Sequence, residues 1–187
     1  MNIAIFLTLI RLSSIPIFGL FYYFPFRWAH PVAAIIFIFA AITDWLDGYV
    51  ARSLSQTTNL GAFLDPVADK LLVGAALLLV VGECYVGYLA IPGAIIICRE
   101  ITISALRERM AELGKRTSMA VTFLSKIKTT LQMIALILLI WYAPGAQSWI
   151  LLIGVVLLWI SALLTVWAMT IYLKIAWKDL TTRNIGI

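Results

Sequence analysis

The sequence predicts an all-α integral membrane protein with six transmembrane helices around a polar cavity open to the cytoplasm. Three observations carry that expectation. The 187 residues are 63% hydrophobic and only 12% charged, with a mean hydropathy of +1.03, a composition that belongs in lipid rather than water. Apolar runs approaching the roughly 20 residues needed to cross a bilayer recur along the whole chain. The few charges are grouped: the stretch 43–70, TDWLDGYVARSLSQTTNLGAFLDPVADK, holds Asp44, Asp47, Asp65 and Asp69 together with Arg52 and Lys70. One membrane domain over 1–187 is the natural division.

The elements follow in order. A first span covers residues 3–24 with Arg11 inside it. It lacks a basic leader and a small-residue cleavage site, so it is expected to stay as a span. Residues 25–30 form a turn, and a second span runs over 31–52. Its uncharged part ends at Thr43, too short to cross alone, so the helix must carry Asp44 and Asp47 in its last turns. The polar run 53–59 is a loop. A third span, 61–82, begins with Asp65 and Asp69, and Pro66 is expected near its start, where a missing N–H is tolerated. The fourth span starts near Tyr85 and continues through Arg99 and Glu100 to about Glu108, followed by a polar connection over 110–121. A fifth span covers 123–142 with Lys126 and Lys128 at its start. After a turn at 143–148, a sixth covers 149–173, and Lys174, Lys178, Asp179 and Arg183 form the tail.

Six spans place both ends on one side. The basic residues Arg52, Arg107, Arg109, Lys115, Arg116, Lys126 and Lys128 and the basic tail share that side, whereas the opposite turns offer only Arg27. By the positive-inside rule both termini are cytoplasmic. Tyr22, Tyr23, Trp28, Tyr85, Tyr88, Trp141, Trp149 and Trp177 are expected at the interfaces. His30, beside Trp28, reads as interfacial and argues against histidine chemistry. Cys84 and Cys98 show neither metal nor disulfide spacing and read as small packing residues. No basic stripe lies on a soluble face, so nucleic acid is not an expected partner.

The acids carry the chemistry. Asp44 and Asp47 are spaced i,i+3, and Asp65 and Asp69 i,i+4, so each pair shares a helix face. Like charges beside lipid-length runs need a cation. Ion pairing with Arg11, Arg52, Lys70 and Arg99 would satisfy one acid, but four at this spacing suit divalent metal, and hard oxygen ligands select Mg²⁺ or Mn²⁺. A divalent-cation transporter is the competing reading. Acids gathered at one membrane depth with bases among them, and no inverted repeat, weigh against it.

Written in full, the stretch is Asp44-x2-Asp47-Gly48-x2-Ala51-Arg52-x8-Gly61-x3-Asp65-x3-Asp69. This resembles the signature of the CDP-alcohol phosphotransferase family with every fixed position present. The resemblance extends to Asn2, Thr8 and Arg11, to Gly61 through Lys70, and to segments from Cys98 to Thr129, where the chain is similar to the bacterial phosphatidylglycerophosphate synthases. Departures are Ser125, where the family run would have glycine, and Ala4, where relatives can have proline. The resemblance implies transfer of the phosphatidyl group from CDP-diacylglycerol to glycerol 3-phosphate at the inner membrane of a bacterium, with release of CMP. Other acceptors of the same chemistry are inositol phosphate, serine and phosphatidylglycerol.

It also implies roles. Asp44, Asp47, Asp65 and Asp69 would hold two Mg²⁺ or Mn²⁺ ions, with Asp69 as base, ligand or both. Thr8, Gly48, Ala51, Arg52 and Gly61 would contact CDP-diacylglycerol. Arg99, Arg107, Lys126 and Lys128 would bind the acceptor phosphate. Relatives are often homodimers, although no dimer face is readable in the sequence.

Overall fold

The computed structural model describes residues 3–26, 28–53, 59–83, 87–112, 119–142 and 148–181. The side chains of 44–53, 59–63, 65, 107, 119–126 and a few others on these helices lie outside the description. The described residues form six α-helices: α1 (Ile3–Tyr22), α2 (Ala29–Ser53), α3 (Asn59–Glu83), α4 (Ala90–Glu112), α5 (Met119–Trp141) and α6 (Ser148–Thr181), with a 3-10 turn at Gly87–Leu89 leading into α4. The described residues contain no strand.

Three details differ from the sequence expectation. α3 begins at Asn59, two residues before the expected start, with Pro66 inside the helix, where its ring removes the bond that the Ala62 carbonyl would accept. α4 continues to Glu112, deeper into the expected connection. α6 runs on to Thr181, so Lys174, Lys178 and Asp179 extend the helix. A charge ends an apolar run without ending a helix, because Lys and Leu have similar helix propensities.

α1 packs across α2 and α3, α6 lies along α5 and α4, and α2 meets α5. On α2 the buried positions Ala33, Phe37 and Ala40 recur at spacings of 4 and 3, and the alanines let α1 approach closely. Phe18 of α1 meets Phe37 with ring centroids 5.8 Å apart. Tyr22 and His30 are buried and pack edge to face at 5.1 Å. Both therefore belong to the α1–α2 seam and not to an interfacial belt. The exposed aromatic edge is instead Phe24, Phe26 and Trp28, whose rings stack in sequence at 5.5 and 5.4 Å. Cys98 is a free thiol on the outer face of α4, not a packing residue, and Cys84 lies outside the described residues.

The outer surface is apolar. Leu20, Phe39, Leu78, Leu152, Leu163 and Trp167 are all exposed, a pattern that water would not tolerate over so large an area. Among the described residues two segments, Gly87–Leu106 and Trp149–Lys174, are long and apolar enough to cross a membrane, and Thr8–Tyr22, Ala29–Thr43 and Ile127–Trp141 are shorter apolar stretches.

Gly154 on α6 marks a close contact between α5 and α6. A Cβ there would lie 2.8 Å from Leu139 Cγ and 2.9 Å from its Cδ2, and Leu139 is fully buried. Gly154→Val is expected to cost about 1–3 kcal/mol by overpacking. The thermal midpoint of the detergent-solubilised variant should fall, and adding Leu139→Ala should recover part of the loss.

Candidate active site

Helices α2, α3, α4 and α5 enclose a cavity of about 690 Å³. Its wall is apolar on the α2 side, with Ile38, Ala41 and Ile42, and continues through Val73, Gly74, Ile97 and Met133. Its polar groups come from three helices: Asp69 and Lys70 on α3, Glu100 on α4, and Thr129, Thr130 and Gln132 on α5. From this level, α2 runs on from Ile42 to Ser53 and α3 back from Asp69 to Asn59, while α4 runs on from Ile101 to Glu112 and α5 back from Thr129 to Met119. Each extension is about ten residues, or roughly 15 Å. The connections 54–58 and 113–118 therefore leave from the same end of the bundle, and the charged halves of the four helices share that end.

Polar cross-links brace this cavity. Lys70 Nζ donates to Ser104 Oγ, joining α3 to α4. Glu100 Oε1 accepts from Arg99 Nη1 at 2.7 Å and from Lys128 Nζ at 2.6 Å, joining α4 to α5. Arg99 is 3% exposed and Lys128 0%, whereas Glu100 is 28% exposed and lines the cavity. Two buried cations thus share one carboxylate. Arg99 Nε and Nη2 and Gln132 Oε1 are buried without hydrogen-bond partners. Ser161 Oγ, on α6, donates to the Lys128 carbonyl at 3.5 Å.

The residues singled out from the sequence fall as follows. Asp69 is half-buried in the cavity wall. Arg99 and Lys128 come together through Glu100. Thr8 and Arg11 are buried on α1. The Phe18–Phe37 contact sets the antiparallel register, so seven residues along each helix Arg11 is level with position 44. Asp44, Asp47, Gly48, Ala51 and Arg52 lie on α2, Gly61 and Asp65 on α3, Arg107 on α4 and Lys126 on α5, with their side chains outside the described residues. Sequence reasoning gave no role to Glu100, Ser104, Thr129, Thr130 or Gln132. Two of these left a trace: Glu100 directly follows Arg99, and Gln132 stands one turn beyond Lys128 in an apolar run.

The donor set fits divalent metal in kind. α2 and α3 are in contact, and positions 44 and 47 on one and 65 and 69 on the other offer only hard carboxylate oxygens, which suit Mg²⁺ or Mn²⁺. Among the described side chains no group of three or more ligating residues occurs.

Fold and cavity together define a class: a helical protein with apolar outer faces, membrane-length segments and a charged cavity toward one end. The chain belongs to the CDP-alcohol phosphatidyltransferase family, whose model matches residues 1–167. It is 54% identical over 180 residues to the CDP-diacylglycerol–glycerol-3-phosphate 3-phosphatidyltransferase of Yersinia enterocolitica, covering 96% of this chain and 97% of that protein. The proteins of the same name from Sodalis glossinidius and Pectobacterium atrosepticum are 50% and 51% identical, with the same coverage.

Glu100→Gln strips the shared counter-ion from two buried cations and is expected to cost about 3 kcal/mol. Lys128→Met removes a cation and leaves Glu100 paired with Arg99, so its loss should be smaller. Thermal unfolding of the two variants in one detergent checks the order. A smaller drop for Glu100→Gln would show that the carboxylate is not what compensates these charges.

Proposed function

We propose that the chain transfers the phosphatidyl group of CDP-diacylglycerol to sn-glycerol 3-phosphate, giving phosphatidylglycerophosphate and CMP. The observation that carries this reading is the 50–54% identity, over 96% of the chain, to proteins named for that transfer. Asp69 in the wall of a cavity with an apolar side supports it, together with Glu100, which lines the same cavity and pairs with the buried Arg99 and Lys128. The protein would act in the inner membrane of a bacterium as six spans, with both termini and the cavity mouth cytoplasmic; the assembly carried over with the resemblance is a homodimer.

The two substrates differ in solubility, and the cavity suits both. Ile42, Leu71 and Ile101 line it and are also exposed on the outer surface, so a lipid tail has an apolar way in from the side. Thr8, Gly48, Ala51, Arg52 and Gly61 are assigned to the donor: the small residues leave room for its headgroup, and Arg52 can fork onto a phosphate. Arg99, Arg107, Lys126 and Lys128 are assigned to the phosphate of the acceptor. Asp44, Asp47, Asp65 and Asp69 would hold two Mg²⁺ or Mn²⁺ ions, which when bound neutralise the diphosphate and the charge that develops on departing CMP. Asp69 takes the proton of the acceptor hydroxyl. The freed oxygen bonds to the phosphorus that carries diacylglycerol, and the bond from that phosphorus to the bridging oxygen breaks, so CMP leaves with that oxygen.

Purified protein with CDP-diacylglycerol and Mg²⁺ or Mn²⁺ should release CMP with glycerol 3-phosphate and not with inositol phosphate, serine or phosphatidylglycerol offered separately. Turnover with another acceptor would replace the assigned one. Asp69→Asn should lower kcat on the order of 10²- to 10⁴-fold, and Asp44→Asn and Asp47→Asn should also reduce it. Full activity in all three variants would overturn the assigned roles.

A further inference from the structure

We propose that Gln132 determines acceptor specificity by hydrogen-bonding a hydroxyl of the acceptor that does not react. The inference rests on the transfer proposed above. Gln132 is only 3% exposed, lines the cavity that also holds Asp69, and has a buried Oε1 without a hydrogen-bond partner. A buried unpartnered amide oxygen is destabilising, so a native fold that keeps one next to a cavity has a use for it when the cavity is filled. The group is neutral, which suits a hydroxyl better than a phosphate, to which Arg99 and Lys128 are assigned above. A carboxamide offers an acceptor oxygen and two donor hydrogens, and a hydroxyl both donates and accepts, so either orientation of the amide makes the bond. Gln132 lies one helical turn from Lys128 on α5. A short polyol phosphate held at the cationic cluster therefore places its carbon-borne hydroxyls at the level of this side chain, with Asp69 on the facing helix.

The test compares two acceptors in two proteins. Glycerol 3-phosphate carries a middle hydroxyl; 3-hydroxypropyl phosphate keeps the phosphate and the terminal hydroxyl and lacks the middle one. With CDP-diacylglycerol and Mg²⁺, the wild-type protein should favour glycerol 3-phosphate in kcat/KM by roughly 10- to 100-fold. Gln132→Met, close in volume and unable to make the bond, should lose most of that preference. The loss should fall on glycerol 3-phosphate and spare the analogue. The thermal midpoint should hold or rise, because an unpartnered polar group has been removed. An equal loss with both acceptors would assign Gln132 to the donor or to general packing and overturn the inference. So would a wild-type protein indifferent to the middle hydroxyl, or a Gln132→Met protein that does not fold. If the wild-type protein released no CMP with either acceptor, the transfer itself would fall and take this inference with it.

Discussion

The cavity depends on one shared carboxylate. Among the described residues α4 is held to the bundle mainly by α6, through Ile103 and Tyr172 among others, with α5 not among its main neighbours. What spans the gap is Glu100, whose Oε1 is 2.6 Å from Lys128 Nζ. On the other flank, Lys70 reaches Ser104 across the α3–α4 gap. Apolar packing would close both gaps, because side chains in contact exclude the space between them. Long polar side chains with fixed partners do the opposite: they hold helices at a distance. The open volume between α3, α4 and α5 is thus a consequence of which residues bridge it.

The same bridge explains how two cations can be buried in a chain this apolar. A lone buried ammonium or guanidinium carries a desolvation cost of several kcal/mol. Sharing Glu100 reduces that cost for both. Under the proposed function, buried cations on α4 and α5 and carboxylates on α2 and α3 would give the free phosphate and the metal-held donor separate places.

Much of this architecture is legible in the sequence, for a physical reason. Six apolar runs separated by polar or turn residues become six helices, because backbone groups kept from water are satisfied within each helical segment. The insufficient length of the uncharged part of α2 already says that the helix continues into its acids. Orientation within the helices is less legible. Tyr22 and His30 read as interfacial because aromatic residues favour helix ends, yet their rings are buried against each other. In a helix apolar on every side, periodicity cannot tell a neighbour from lipid. The ends of α6 and α4 are hidden because charged residues sustain helices as well as leucine does. Glu100 and Gln132 escape a motif reading, since their importance lies in which helix stands opposite, a fact that spacing along one helix does not hold.

Helix length finally accounts for how a lipid and a polar alcohol phosphate can meet. The apolar stretch Ala29–Thr43 is shorter than a bilayer crossing, yet α2 runs on to Ser53. About ten further residues, Asp44, Asp47 and Arg52 among them, carry α2 roughly 15 Å past that stretch, about the depth of a headgroup layer. The backbone stays hydrogen-bonded over that distance, so charged side chains are presented from rigid helices and not from loops. Under the proposed function, a diphosphate lipid whose tails stay among apolar flanks would have its reacting phosphorus at the level where α2 turns polar. Reaction at that boundary would require neither substrate to enter the other's solvent, which is what a helix longer than its apolar stretch provides.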